Sequence, residues 1–332
     1  MNGAIGDYFP LAKEASNKTD FIRHSIGSFF AVFSRWAPGH NRVLTAILSF
    51  LFLNASPVFA AIPPISTWDY QVHNWARVRV VAETNNVSDS SYVAATQFML
   101  YLRYTGLRSK IKWCGIYLGT SLTALSAPFI ADVTTAGTRD INHAFISGDY
   151  VESGGLTGDG VTKYLSAGDG GGGLTMSKYT TWTNLHIAAY SRTIGNDTQH
   201  LLMGQIAFGG PDYCQLVVSQ TGTSYLQIGT TYTSISDIDG RGFYLIQRTL
   251  PTLATMYKNG SQFLTDTGSS TSVSDSPLFI HARNNGVGVA DVLTSRQLCY
   301  YSTGLSMTAA ENDWYYRGIQ RLQQRVGRAI AP

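Results

Sequence analysis

Charge is scarce in this 332-residue sequence: Asp, Glu, Lys and Arg together make up 14%, against about a quarter in ordinary globular proteins. The formal net charge is +3, and residues 1–60 hold five of the 24 basic and three of the 21 acidic side chains, which leaves 19 against 18 for the rest. A nearly neutral body removes the electrostatic ground for nucleic-acid binding. Cysteine is scarce too. Cys114, Cys214 and Cys299 lie far apart without a CxxC pair, which excludes a zinc ribbon or a thioredoxin-type dithiol. All three read as small core residues.

Glutamate is limited to Glu14, Glu83, Glu152 and Glu311. Glycoside hydrolysis needs two carboxyl groups flanking one bond, and no strand carries acids at i and i+2 on a sheet face. The nearest pair, Asp237-Ile-Asp239, runs into Gly240 and reads as a turn. Arg241 and Arg248 occupy positions five and twelve of an EF-hand pattern there, where oxygen ligands are required. No metal site and no cofactor are expected; a lectin-style calcium ion is the one alternative left open. The seven histidines show neither HExxH nor H-x-H spacing, and there is no G-x-S-x-G. Gly168 to Gly173 lacks the Gly-Lys-Ser/Thr ending of a phosphate loop and reads as a flexible loop. The parts of a hydrolase or transferase are missing, so a protein that is not an enzyme is expected.

What is plentiful is Gly, with 33 residues, and Tyr, with 19, a balance that suits a β-rich extracellular or virion-type protein. The one strongly apolar run, Val43 to Ala60, is too short for the roughly 20 residues of a membrane span. It follows Arg42 and ends Val58-Phe59-Ala60, in the form of an export signal with its cleavage site. A retained anchoring helix is the other reading, and membrane contact is expected only through this segment. Pro63-Pro64 marks a linker.

Ala95, Phe98, Met99 and Leu102 fall at i, i+3, i+4, i+7 and predict a helix, capped by Ser88, Asp89 or Ser90 and closed at Gly106. Phe98, Met99 and Trp113 read as core rather than as a cofactor box. From Gly137 onward short strand-like runs alternate with Gly, Asn, Asp and Ser. Asn259-Gly260 predicts a two-residue hairpin. So many short strands curl or split into two facing sheets. At the end, Thr308-Ala-Ala-Glu311 forms a capping box, Tyr315, Ile319, Leu322 and Val326 make an apolar stripe, and Gly327 fits the closing position. Arg317, Arg321 and Arg325 share another face, read as a solvated row with a phosphate- or sulfate-binding row as the alternative.

The segments "GDYVESGGLTGDGVTKYLSAG", "LHIAAYSR", "MYKNGSQ", "LFIHARNNGVG" and "STGLSMTAAENDWYYRGIQRLQQRVGR" follow one another in an order that resembles the concanavalin A-like, laminin G-type jelly-roll domains of bacteriophage and viral structural proteins and of secreted bacterial proteins. The resemblance covers about Tyr92 to Arg328. It implies a mainly β fold: a two-sheet antiparallel jelly-roll sandwich with a preceding small helical segment and a C-terminal capping helix. The organisation expected is a signal-like or anchoring segment at 1–61, a linker and small α-containing pre-domain at 62–136, and the sandwich at 137–332.

Two functions follow as expectations. One is a non-catalytic structural or accessory protein of a virion or similar assembly, displaying the jelly roll for surface attachment. The other is a secreted carbohydrate-binding protein. Partners are then other structural proteins of the assembly or a cell-surface glycan, with a homo-oligomer open, and the location is the virion or the extracellular space. Sugar sites on such sandwiches combine an aromatic platform with amide and carboxylate groups from loops. Tyr213, Asp212, Asn196, Asn284 and Asn285 are the candidates; the competing reading is that Asn and Asp stand there because turns need them.

Overall fold

The computed structural model describes residues 72, 75, 76, 87–133, 139–168, 173–195, 201–206, 212–269 and 275–331. Contacts divide the chain into Met1–Ile62 and Pro63–Pro332, and every described residue lies in the second unit. The expected leader, Asn196 and most of the Gly168–Gly173 loop lie outside the described residues.

In chain order the elements are α1 (Asp89–Tyr104), β1 (Ile111–Gly115), α2 (Leu122–Leu125), β2 (Ile130–Ala131), β3 (Ile141–His143), β4 (Tyr150–Val151), β5 (Gly155–Thr157), β6 (Tyr164–Ser166), β7 (Leu185–Ser191), β8 (Leu201–Ile206), β9 (Tyr213–Gln220), β10 (Thr223–Gly229), β11 (Thr233–Ser236), β12 (Gly242–Leu250), β13 (Leu253–Lys258), β14 (Ser261–Asp266), β15 (Phe279–Ile280), β16 (Arg283–Asn284), β17 (Ala290–Asp291), β18 (Gln297–Gly304) and α3 (Ala309–Arg325). The first sheet runs β14-β13-β12-β7-β18-β1-β2, with β5 on β18 and β4 on β5. The second runs β11-β10-β9-β8-β15-β6-β3, with β16 beside β8 and β17. Apart from the parallel β16–β8 pair both sheets are antiparallel, and they form a sandwich, as expected from the strand spacing.

Two cores explain the strand sequences. Ile187, Ala189, Tyr244, Ile246 and Tyr301 of the first sheet meet Met203, Cys214, Leu216, Val218 and Ile228 of the second. The outer face of the first sheet, with Ala188, Tyr190, Phe243, Leu245 and Tyr300, is covered by Phe98, Met99, Tyr315, Ile319 and Leu322 of α1 and α3. Because β7 is covered on both faces, all seven of its residues are buried, and its centre, Ile187 to Tyr190, is an unbroken apolar run rather than an alternating one. Phe98, Met99 and Trp113 are core residues. β1 falls in the stretch expected as a pre-domain, yet it pairs with β18 in the middle of the first sheet.

Local chemistry sets the element ends. Ser88 Oγ accepts from the Ser91 amide at 3.2 Å, and Gly106, at φ +76°, turns the chain after α1. Asn259 and Gly260 both have positive φ between the paired Lys258 and Ser261, the I′ geometry expected. At α3, Thr308 Oγ1 accepts from the Glu311 amide at 3.2 Å and Glu311 Oε2 accepts from the Thr308 amide at 2.7 Å. Lys110 Nζ also donates to Glu311 at 2.8 Å, which ties the helix start to the residue before β1.

The chain end is fastened by Arg328, which is fully buried. It donates to Gln323 Oε1 at 2.5 Å and to the carbonyls of Tyr117, Glu152, Ile116 and Cys299 at 2.8, 3.0, 2.6 and 3.0 Å. Those five bonds use the five N–H donors a guanidinium has. Arg248 and Arg296 are likewise buried and bonded to backbone carbonyls.

Candidate binding site on the second sheet

Cys214, Leu216 and Val218 of β9 take the core face, so Tyr213, Gln215 and Val217 take the opposite one. Register sets three rows across that face. Tyr213 stands opposite Ile206 and Gly229, Gln215 opposite Gly204 and Gln227, and Val217 opposite Leu201 and Tyr225. On the other side of β8, Arg283 pairs with Gly204.

The middle row is a continuous polar chain. Gln215 Nε2 donates to Gln227 Oε1, and Arg283 Nη1 donates to Gln215 Oε1 at 3.2 Å. The arginine reaches across Gly204, where a Cβ would stand 2.9 Å from Gln215 Cβ. Arg283 Nε and Nη2 each donate to Asp291 at 2.8 Å, a bidentate pair that neutralises the guanidinium. Arg283 Cζ lies 5.7 Å from the centroid of the Tyr213 ring, within cation–π range. The amides lie at the floor, Gln215 at 9% and Gln227 at 7% exposure. Tyr213 and Tyr225 are half-buried, and Tyr232, with its ring 6.0 Å from that of Tyr225, is exposed. Aromatic rings beside amides and a neutralised ion pair offer an apolar platform with hydrogen-bonding groups next to it, the combination that orients a ligand of mixed polarity.

The other sequence candidates sit close by in chain terms but do different work. Asp212 is buried within electrostatic reach of Arg248. Asn284 is fully buried; its Nδ2 donates to the Pro277 carbonyl at 3.0 Å, and its Oδ1 accepts from the Gly286 and Gly288 amides at 3.1 and 3.0 Å. Asn285 Oδ1 accepts from Val287 and Val289 at 3.1 and 3.2 Å. Both asparagines hold the turn between β16 and β17. Gln215, Gln227, Arg283, Tyr225 and Tyr232 were not among the candidates. The available signal was a glutamine at an outward position in each of two strongly apolar strands.

Among the described residues, several other groups that look chemical are sealed or already engaged. Ser302 Oγ lies 3.4 Å from His186 Nε2, and His186 Nδ1 donates to the Leu305 carbonyl at 2.6 Å. Both side chains are fully buried under α3, and Tyr315 also donates to Ser302 at 2.8 Å. Burial pushes the His186 imidazole down to about 4. His281 directly follows β15, and burial holds it at about 4 as well. Asp237 accepts from Lys258, Ser224 and Tyr244 at 2.6, 2.7 and 2.7 Å. Burial alone would raise this carboxyl, but those bonds hold it below its ordinary value. Asp239 is bound by Arg241 at 2.6 and 3.1 Å, so the pair forms a bonded turn. Glu152 accepts from Ser91 Oγ and the Gly119 amide at 2.8 and 2.9 Å. Among the described residues no group of three or more His, Cys, Asp or Glu side chains could hold a metal ion, and no helix is long and apolar enough to cross a membrane.

No protein-family model matches the chain, and no curated protein matches it. Solved structures overlap with parts of it. The NanB sialidase from Streptococcus pneumoniae, in complex with 2-[(3-chlorobenzyl)ammonio]ethanesulfonate, is 13% identical over 41% of this chain and 24% of its own, with a TM-score of 0.34. The binding domain of botulinum neurotoxin serotype D is 9% identical over 64% of this chain and 52% of its own, with a TM-score of 0.43. The receptor binding domain of the botulinum neurotoxin C/D mosaic serotype is 8% identical over the same shares, with a TM-score of 0.44. The chain thus spans 24% of the sialidase and 52% of the toxin domains. Overlap this partial identifies neither a shared ligand nor a shared activity.

Proposed function

We propose that this domain is a non-catalytic binding module whose ligand is a neutral saccharide, held on the outer face of the second sheet. The observation that carries this reading is the polar chain Arg283–Gln215–Gln227 running beside the Tyr213 ring. A sugar presents an apolar ring face and a rim of hydroxyls. Tyr213 offers the ring, and the two amides offer donors and acceptors together. Asp291 cancels the charge of Arg283, so the site favours neutral over acidic sugars. The concanavalin A-like, laminin G-type assignment and an extracellular location belong to the same proposal.

A second reading concerns setting rather than chemistry. The apolar run Val43 to Ala60 upstream of the sandwich suits a domain carried by a larger assembly such as a virion, which displays the binding face towards a cell-surface glycan.

A glycan array probed with the full chain tests the proposal. It predicts retention on neutral glycans and weak or no retention on sialylated and sulfated ones. Retention confined to acidic glycans, or none at all, contradicts it.

A further inference from the structure

α1 and α3 lie antiparallel on the first sheet, away from the saccharide face. Tyr101 is pressed onto the α3 backbone: its hydroxyl donates to the Trp314 carbonyl at 2.8 Å, and a Cβ on Gly318 would come within 2.6 Å of its ring. About two turns back along α1 the facing residue is the small Ala94, and a cleft of about 140 Å³ remains between the helices. Phe98 and Leu322 form its buried floor, Tyr101 one wall, and Gln97, Arg321 and Arg325 its exposed rim.

The three arginines of this helix face are not equivalent. Arg317 is paired with Asp313 at 2.9 Å. Arg321 stands over the Tyr101 ring at 5.3 Å, and among the described residues neither it nor Arg325 pairs with a carboxylate. The negative end of the helix dipole accounts for a cation in the last turn only. It explains Arg325 but not Arg321, and it does not explain a cavity between them and two aromatic rings.

We propose that this cleft is a second binding site, for a phosphate or sulfate monoester whose organic part is aromatic or apolar. The oxyanion sits between Arg321, Arg325 and the Gln97 amide, and the organic group lies on Tyr101 and Phe98. Guanidinium groups suit such oxyanions because their N–H donors match the anion geometry.

Calorimetric titration of the full chain with phenyl phosphate tests this, with inorganic phosphate and phenol as comparison ligands. Expected is saturable phenyl phosphate binding with inorganic phosphate about tenfold weaker and phenol silent. The Arg321→Gln, Arg325→Gln double variant loses the binding, while Arg317→Gln stays within about twofold of wild type. Should the double variant not fold, Arg325→Gln alone, at an exposed position, carries the comparison with an expected loss of about fivefold or more. The proposal is overturned if no saturation occurs by about 10 mM, if inorganic phosphate binds as well as the ester, or if Arg317→Gln weakens binding as much as the cleft variants. Glycan-array results do not bear on this site, so the two readings stand or fall separately.

Discussion

The guanidinium of Arg283 lies 5.7 Å from the ring centroid of Tyr213, although the two residues are 70 positions apart in the chain. The parallel pairing of β16 with β8 brings them together. The same arginine is clamped by Asp291 and bonded to Gln215. Arg283→Ala therefore removes the lid of the ring and frees the Gln215 amide in one step. The ion pair is partly exposed, at 19% and 38%, so its loss costs only about 1 kcal/mol of stability. Saccharide affinity is expected to drop about tenfold. Melting curves and titration of the variant separate the two effects.

The histidines set a pH window. Burial holds His186 and His281 at about 4 in the folded protein, against about 6.5 when unfolded. Above about 6.5 both states are neutral and the stability is fully present. As pH falls below that, the unfolded chain takes up protons that the native chain refuses, and stability is lost by about 1.4 kcal/mol per pH unit for each histidine. Denaturant melts at pH 7, 6 and 5 are expected to show falling midpoints. His186→Gln flattens the slope if it still folds, and an unchanged midpoint from pH 7 to 5 contradicts the assignment.

Cys114, Cys214 and Cys299 are all free and buried. Burial pushes their thiols up to about 12, 12 and 11. Since the thiolate is the nucleophile, none of the three is expected to react with a disulfide reagent at pH 8 in the native protein. All three react in denaturant. Labelling followed by intact mass reads both states directly.

Arg328 closes the fold with donors rather than with an opposite charge. Arg328→Met leaves the carbonyls of Ile116, Tyr117, Glu152 and Cys299 without this partner, which is expected to cost ~3 kcal/mol or more. Arg328→Lys does not restore it, because an ammonium has three donors where five are used. Chemical denaturation of the two variants checks both statements.

Much of this architecture is legible from short-range pattern. The Asn259-Gly260 hairpin, the helix stripe Ala95, Phe98, Met99 and Leu102, and the Thr308–Glu311 capping box each rest on residues a few positions apart. They appear as the sequence predicts. The pairing of β1 with β18, nearly 190 residues later, leaves no local trace, and so the helix and strand before residue 137 look like a separate unit. The buried arginines escape notice for a different reason: Arg248, Arg296 and Arg328 carry the composition of a surface and find their partners on backbone carbonyls. At the candidate site, Tyr213 is visible as a loop aromatic. Gln215, Gln227 and Arg283 become its neighbours only through register, and Asn284 and Asn285 are visible for the turn they hold.

The most direct test of the saccharide reading is a side-by-side glycan-array profile of the wild-type chain and Gln215→Ala, with melting temperatures matched. Gln215 lies in the middle of the polar chain and outside both hydrophobic cores. The account predicts that the variant keeps the fold and loses retention on neutral glycans. A variant that keeps the wild-type profile would contradict it and would place the ligand elsewhere on the molecule.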